Sequence, residues 1–162
     1  MLMAEDKIVT MPMEQLIQVV QLQLSEKGSA GLVVTGNSMW PTFRHRKDQV
    51  VLRPADTFQK GDIILYRREN GQYVLHRIMQ KKDGYVFCCG DNQWEKERVE
   101  NSWVLAVVTA FYRKGKHYSV TAKGYRLYQW AWGMLFPTRR PILAVAKKLL
   151  GLRKKLQGGN RK

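Results

Sequence analysis

Three short motifs place a serine, a histidine and an aspartate in an order that a hydrolase can use. Ser38 lies in Gly-Asn-Ser-Met-Trp-Pro-Thr, His76 in Leu-His-Arg-Ile and Asp91 in Gly-Asp-Asn. A serine hydroxyl is a weak nucleophile that needs a base within hydrogen-bond reach, and histidine titrates close to neutrality. An aspartate on the second imidazole nitrogen would fix the tautomer and stabilise the imidazolium. We therefore expect Ser38 as nucleophile, His76 as base and Asp91 as supporting acid.

The residues around Ser38 suit a tight turn close to a substrate. Gly36 allows the backbone to turn sharply two residues before the serine. The amide groups of Asn37 and Ser38 are then candidate donors of an oxyanion hole. Three further residues complete the motifs and are expected to support their shape: Met39, Pro41 and Gly90.

The segments that carry these motifs have the pattern of short antiparallel strands. Asn-Gly, Asp-Gly and Lys-Gly turns separate runs of apolar and β-branched residues, as in hairpins. We predict strands over 32–35, 49–53, 63–67, 73–79, 85–89, 103–112 and 117–120. The predicted fold class is mainly β, an antiparallel β catalytic core with an N-terminal helix over 13–26 and a C-terminal helical pair over 123–135 and 142–156.

Charge divides the chain into two regions. The net charge is +15, and all 13 acidic residues lie at or before Glu100. Residues 121–162 hold 11 Lys and Arg together with several Trp and Tyr. We predict a peptidase-like β domain over 1–120 and a basic, aromatic, amphipathic extension over 121–162.

Three interpretations of this extension are open. It is a solvated helix pair, or it lies on an anionic membrane surface, where basic and aromatic side chains suit the headgroup layer. Nucleic acid is the weaker alternative, because no recognised binding motif accompanies the charge.

The remaining composition limits the protein class. We find no secretory signal peptide and no run of about 20 apolar residues, so we expect no membrane-spanning helix. Cys88 and Cys89 are adjacent and point to opposite faces of a strand, so they are poor disulfide partners. The histidines and cysteines show no metal-ligand spacing. We expect a cytoplasmic or peripheral membrane protein that needs no metal and no organic cofactor.

The motif order resembles a known group of enzymes. Ser-Met-x-Pro, Gly-Asp-Ile at residues 61–63, His-Arg at 76–77 and Gly-Asp-Asn at 90–92 are similar to the type I signal peptidases, which share their fold with self-cleaving repressors related to LexA. The resemblance spans about residues 33–108 and is to the Ser-His branch, since bacterial signal peptidases carry a lysine base where this chain has His76. It implies a β-rich core with Ser38 as nucleophile, His76 as base and Asp91 as supporting acid.

The chain departs from that pattern in three ways, and the place of a second acid is open between two residues. The family's membrane enzymes carry an N-terminal anchor, which we do not find here. Many carry a serine at the position of Gly36, so only backbone donors remain for the oxyanion. A second acid often follows the Gly-Asp-Asn box, and either Glu95 or Glu97 fits that place. Ala30-Gly31 has the composition of a repressor cleavage site but lies only seven residues before Ser38, so we do not expect self-cleavage.

These observations predict a serine-type endopeptidase that hydrolyses a peptide bond in a precursor, leader or signal-type segment. The substrate would bind in extended form along an exposed strand edge. Two alternatives remain open: a catalytically inactive relative that binds peptides, and a membrane or nucleic-acid docking module acting through residues 121–162.

Overall fold

Eight strands and flanking helices make up the computed structural model, which describes residues 12–139, 141–146, 148 and 149. The elements are α1 (Met13–Lys27), β1 (Ala30–Val33), β2 (Asp48–Pro54), β3 (Ile63–Arg67), β4 (Tyr73–Lys81), β5 (Tyr85–Cys89), β6 (Glu97–Glu100), β7 (Val104–Arg113), β8 (Lys116–Ser119) and α2 (Lys123–Met134). Residues 141–146, 148 and 149 are also helical and are named α3.

The strands form one antiparallel sheet in the order β1-β2-β7-β3-β4-β5-β6, with β8 pairing β7 off this path. Hairpins join β3 to β4, β4 to β5 and β7 to β8, through the Gly-containing turns that the sequence indicates. The predicted fold class, an antiparallel β core with an N-terminal helix and C-terminal helices, is confirmed.

The sheet and α1 enclose the main hydrophobic core. Ile17, Val20 and Leu24 recur at helical spacing and form the buried stripe of α1. Strands β1 and β2 alternate buried and exposed residues, so that one face packs on this stripe. A second cluster lies among β3 to β7 and includes Ile64, Tyr66, Ile78, Val86, Cys88 and Val99.

Strands β1 and β6 differ most from the sequence-based expectation, and the bounds of the other strands agree within two residues. β1 begins at Ala30 rather than residue 32, directly after Gly28 ends α1 with a φ of 66°. β6 was not predicted, because only Val99 of its four residues is buried and the others are charged. The part of the expected helix 142–156 beyond residue 149 lies outside the described residues.

Helix α2 packs against the sheet through an aromatic stripe. Tyr125 lies 5.6 Å from Phe111 of β7 between ring centroids, and the Tyr128 and Trp132 rings stack at 6.2 Å. None of the helices in the described ranges is long and apolar enough to cross a membrane. The division of the chain at residue 120 stays a prediction.

Candidate active site

Ser38 lies in the loop between β1 and β2, at a sharp turn. Gly36 has a φ of 85°, in the left-handed region that favours glycine. The Gly36 N–H donates to Nδ1 of His45 at 2.8 Å, which holds the turn two residues before the serine. Pro41, three residues after Ser38, follows a cis peptide bond. The predicted tight turn is therefore present, and Ser38 itself is half-buried.

The Ser38 turn is hydrogen-bonded to the loop that follows β5. The Asn92 N–H donates to the Ser38 carbonyl oxygen at 2.7 Å, and Asn92 Nδ2 donates to the Asn37 carbonyl oxygen at 3.0 Å. A Cβ at Gly90 would lie 2.6 Å from the Ser38 carbonyl oxygen, which is closer than any side chain allows. Glycine at position 90 therefore lets the two loops approach each other.

Strand β4 carries His76 to the same place. Arg77 pairs with Cys89 in the β4–β5 ladder, so its neighbour His76 lies level with Gly90, beside the Ser38 turn. The hydrogen bonds of the His76 ring all involve Nδ1, and among the described residues none joins it to the Ser38 hydroxyl.

Glu97 on β6 is the carboxylate that contacts His76. Its Oε1 lies 2.9 Å from His76 Nδ1. Tyr66 donates its hydroxyl proton to the same oxygen, and Arg68 binds both carboxylate oxygens at 2.8 Å. A carboxylate at Nδ1 favours the tautomer with a proton on that nitrogen, which leaves Nε2 free to accept one.

The electrostatics of this cluster keep Glu97 ionised. Burial alone would raise its pKa, but hydrogen bonds from His76, Arg68 and Tyr66 outweigh burial and lower the pKa of Glu97 to about 2. Burial and the neighbouring carboxylate raise the pKa of Tyr66 well above its usual range. Tyr66 therefore stays a neutral donor while Glu97 carries the negative charge beside the imidazole.

Asp91 does not lie where the sequence-based hypothesis placed it. Its carboxylate accepts two hydrogen bonds from Arg77, at 2.9 and 2.7 Å, and one from the Thr42 hydroxyl. Consecutive residues of a strand point to opposite faces of the sheet, so His76 and Arg77 diverge and Asp91 lies on the Arg77 side. The expected Asp91–His76 contact is corrected to an Asp91–Arg77 pair.

A family model supports the overall assignment. Residues 4–121 match the family described as Peptidase S24-like. The chain belongs to the Peptidase S24-like family. Membership agrees with the resemblance to LexA-like serine peptidases and supports a serine-peptidase-type function at the level of the family. A comparison with curated proteins finds no match.

In this S24-like chain the Arg77–Asp91 pair is almost fully buried and joins three segments. Arg77 Nη1 also donates to the Gly61 carbonyl oxygen at 2.9 Å, at the entry to β3. Burial opposes the charge of Arg77, but Asp91 outweighs it and raises the pKa of Arg77. Because Thr42 belongs to the loop that carries Ser38, the pair connects β4 and the Gly-Asp-Asn loop to the Ser38 turn.

The C-terminal helices add residues that sequence reasoning did not assign to this site. The Tyr128 hydroxyl lies 2.7 Å from the Thr42 hydroxyl, and since Thr42 donates to Asp91, Tyr128 donates to Thr42. Arg139 is fully buried, with Nη1 3.9 Å from Asp91. Its side chain lies over the Trp132 ring at 4.9 Å, and burial lowers its pKa. These contacts continue the Asp91 network into residues beyond 120.

Two backbone donors are available for an oxyanion. The amide groups of Asn37 and Ser38 donate no hydrogen bond to other described residues. The Trp40 amide, by contrast, donates to the Asn37 carbonyl oxygen at 3.1 Å. Met39, between them, is buried and anchors the turn in the main core. The oxyanion role of these amides stays a prediction.

The two cysteines are buried thiols that burial keeps protonated. Cys88 and Cys89 are free and buried in β5, and burial raises their pKa values to about 12 and about 11. Within the described ranges, no three His, Cys, Asp or Glu side chains are grouped so that they could hold a metal ion. The chemistry available here is that of a serine, an imidazole and a carboxylate.

Proposed function

We propose that this chain is a serine endopeptidase in which Ser38 is the nucleophile, His76 the general base and Glu97 the acid that orients His76. The observation that carries the proposal is the 2.9 Å contact between His76 Nδ1 and an ionised Glu97, with His76 on β4 at the level of Gly90, which adjoins the Ser38 turn. That contact presents Nε2 as the proton acceptor, which a weak serine nucleophile requires. Asp91 serves as a positioning residue.

The proposed reaction is acyl transfer in two steps. Ser38 Oγ attacks the substrate carbonyl carbon while its proton passes to His76 Nε2, and the carbonyl oxygen becomes an oxyanion facing the amides of Asn37 and Ser38. The peptide C–N bond then breaks as His76 returns the proton to the departing amine. A water molecule attacks the acyl-enzyme by the same route and regenerates the Ser38 hydroxyl. Glu97 stays ionised and stabilises the imidazolium formed in each step.

The substrate we favour is an extended peptide segment of a precursor, leader or signal-type sequence. β1 pairs only with β2 among the described strands, so its second edge can accept a peptide strand. The strand ends at Val33, five residues before Ser38, and Val33 is exposed. A substrate strand along β1 would therefore lead toward the nucleophile turn.

Self-cleavage is a less suitable reaction for this conformation. The Ala30–Gly31 bond lies inside β1, where the two residues pair with Leu52 and Val51 of β2. Cleavage there would require β1 to leave the sheet and reach Ser38 in the same chain. We therefore propose that the protein acts on another polypeptide.

The test is cleavage of a complex peptide mixture, analysed by mass spectrometry. The full chain, Ser38→Ala and His76→Ala are each incubated with the mixture, beside the matched controls Ser25→Ala and His117→Ala, which change exposed residues of the same types. We expect the unmodified chain and both controls to produce the same new termini, and the two site variants to produce none.

Two results would contradict the proposal. Termini that persist in Ser38→Ala would show a contaminating or different activity. No new termini with any of the five proteins, together with measurable peptide binding, would instead identify an inactive relative that binds peptides.

A further inference from the structure

Helix α2 has two faces of opposite character. Tyr125, Tyr128 and Trp132 face the sheet and the Thr42 loop, as their ring and hydroxyl contacts show. A second stripe, displaced by two residues, is formed by Leu127, Trp130 and Met134, which are 65%, 62% and 64% exposed. Apolar side chains at i, i+3 and i+7 that face water are unusual for a helix whose other face is already packed.

Helix α3 repeats this pattern. Ile142, Val145 and Leu149 have the same i, i+3, i+7 spacing and are all exposed, while Leu143 is buried against the protein. Leu135, in the segment between the helices, is also exposed. More than half of the large hydrophobic residues exposed in the described chain therefore fall between residues 127 and 149.

Positive charge accompanies these apolar stripes in the sequence. No Asp or Glu follows Glu100, whereas residues 121–162 carry 11 Lys and Arg. An open groove of about 790 Å³ lies between α2 and the sheet, with Trp130 and Met134 on its wall. The charged residues lining it are four cations, Lys60, Arg77, Lys96 and Arg126, and one acid, Asp62. Of these cations Arg77 is paired with Asp91.

We propose that the exposed stripes of α2 and α3 dock on the surface of an anionic lipid bilayer. Leu, Met and Trp side chains would enter the headgroup boundary, and the surrounding Lys and Arg would bind lipid phosphates. A second copy of the chain is a poorer partner, because its net charge of +15 would be brought against the same charge. Nucleic acid would match the charge but would leave the apolar stripes without a function.

Docking in this way leaves the candidate active site intact. The stripe that would contact lipid is separate from the Tyr125–Tyr128–Trp132 stripe that holds the Thr42 loop. Membrane binding and peptide cleavage are thus separable properties, and the proposal does not depend on the proposed peptidase activity.

The test is sedimentation of the full chain with lipid vesicles. Vesicles of phosphatidylcholine alone are compared with vesicles in which about a third of the lipid is phosphatidylglycerol, at low salt and at about 1 M salt, where the Debye length falls to about 3 Å. The variant Leu127→Glu/Trp130→Glu is compared with Leu22→Glu, which alters an exposed leucine of α1.

We expect binding to anionic vesicles only, and a large reduction at high salt. The double variant should bind at least about tenfold more weakly, while Leu22→Glu should bind like the unmodified chain. A second pair of variants is measured in the same vesicle assay. Arg126→Gln removes a cation of α2 and should weaken binding, while Lys27→Gln removes a cation of α1 and should bind like the unmodified chain.

Several outcomes would overturn the proposal. Equal binding to neutral vesicles, or equal weakening by Leu22→Glu, would remove the role of this surface. A dimer in light scattering without lipid that the double variant abolishes would assign the stripes to a second copy. Absence of vesicle binding with tight, salt-sensitive binding to nucleic acid would assign the charge to that polyanion.

Discussion

Two carboxylates, Glu97 and Asp91, lie on opposite sides of β4 and differ in burial and partners. Glu97 is 29% exposed and holds the His76 ring, while Asp91 is fully buried and holds the guanidinium of Arg77. Both are ion-paired, yet only Glu97 touches a group that can move a proton. Under the proposed mechanism, the neighbouring imidazole or guanidinium, rather than the carboxylate itself, decides which acid takes part in catalysis and which one positions a loop.

The consecutive residues His76 and Arg77 explain the separation. Strand geometry directs them to opposite faces, so each needs an acid of its own. On the His76 side Glu97 binds the imidazole, and on the Arg77 side Thr42, Tyr128 and Arg139 enclose the Arg77–Asp91 pair. We therefore place the proposed catalysis on one face of β4 and the positioning of loops on the other.

The largest expected effect on stability comes from breaking the buried pair. Asp91→Ala would leave Arg77 buried and without its charge partner, and we expect a loss of about 3–5 kcal/mol in the free energy of unfolding. Chemical denaturation of both proteins measures it. Asp56→Ala, at a residue with no buried partner among the described contacts, is the matched control; equal losses for the two variants would refute a structural role specific to Asp91.

A smaller effect on the free energy of unfolding is expected from Glu97, and it should depend on pH. The pKa of Glu97 is about 2 in the folded protein and lies near 4.5 for an ordinary glutamate, so the unfolded state binds more protons between these values. The stabilising contribution of Glu97 is therefore present above pH 4.5 and is lost as pH falls toward 2. Denaturation across this range should give a shallower loss for Glu97→Gln than for the unmodified chain, and parallel curves would contradict the assignment.

The smallest expected effect on stability comes from the contact between α2 and the loop that carries Ser38. Tyr128→Phe removes the hydroxyl that contacts Thr42, and we expect a loss of about 1 kcal/mol. Tyr118→Phe, at an exposed tyrosine, should change the free energy of unfolding by less. If the two variants behave alike in denaturation, the Tyr128–Thr42 bond contributes nothing measurable.

The sequence predicts the fold class, the turn that carries Ser38 and the strand that carries His76, because all three depend on local patterns. Turn dipeptides and alternating apolar residues define the hairpins, and Gly36 marks the turn that its φ of 85° requires. The alternation of side chains along β4 could also have predicted that His76 and Arg77 need different acids. Because the two residues point to opposite faces of the sheet, an aspartate bound to Arg77 cannot at the same time support His76.

The partner of His76 depends on pairing that local patterns do not reveal. β6 is four residues long and largely charged, so its sequence shows no alternation of apolar and polar residues. Its register with β5, in which Glu97 lies opposite Cys88, therefore cannot be predicted from the sequence. Glu95 and Glu97 are therefore equivalent in the sequence, although only Glu97 contacts the imidazole. Arg139 likewise has the sequence context of a solvated cation, and only the tertiary fold buries it near Asp91.

The most direct test of the account is the kcat/KM of Glu97→Gln and Glu95→Gln on one peptide that the unmodified chain cleaves. Glu95 is exposed and only two residues away, so the pair matches charge and position. The account predicts a fall of about 10²-fold to 10⁴-fold for Glu97→Gln, as expected for loss of the acid that orients a catalytic histidine, and little change for Glu95→Gln. Equal activity of the two variants would contradict the assignment of Ser38, His76 and Glu97 as one catalytic unit.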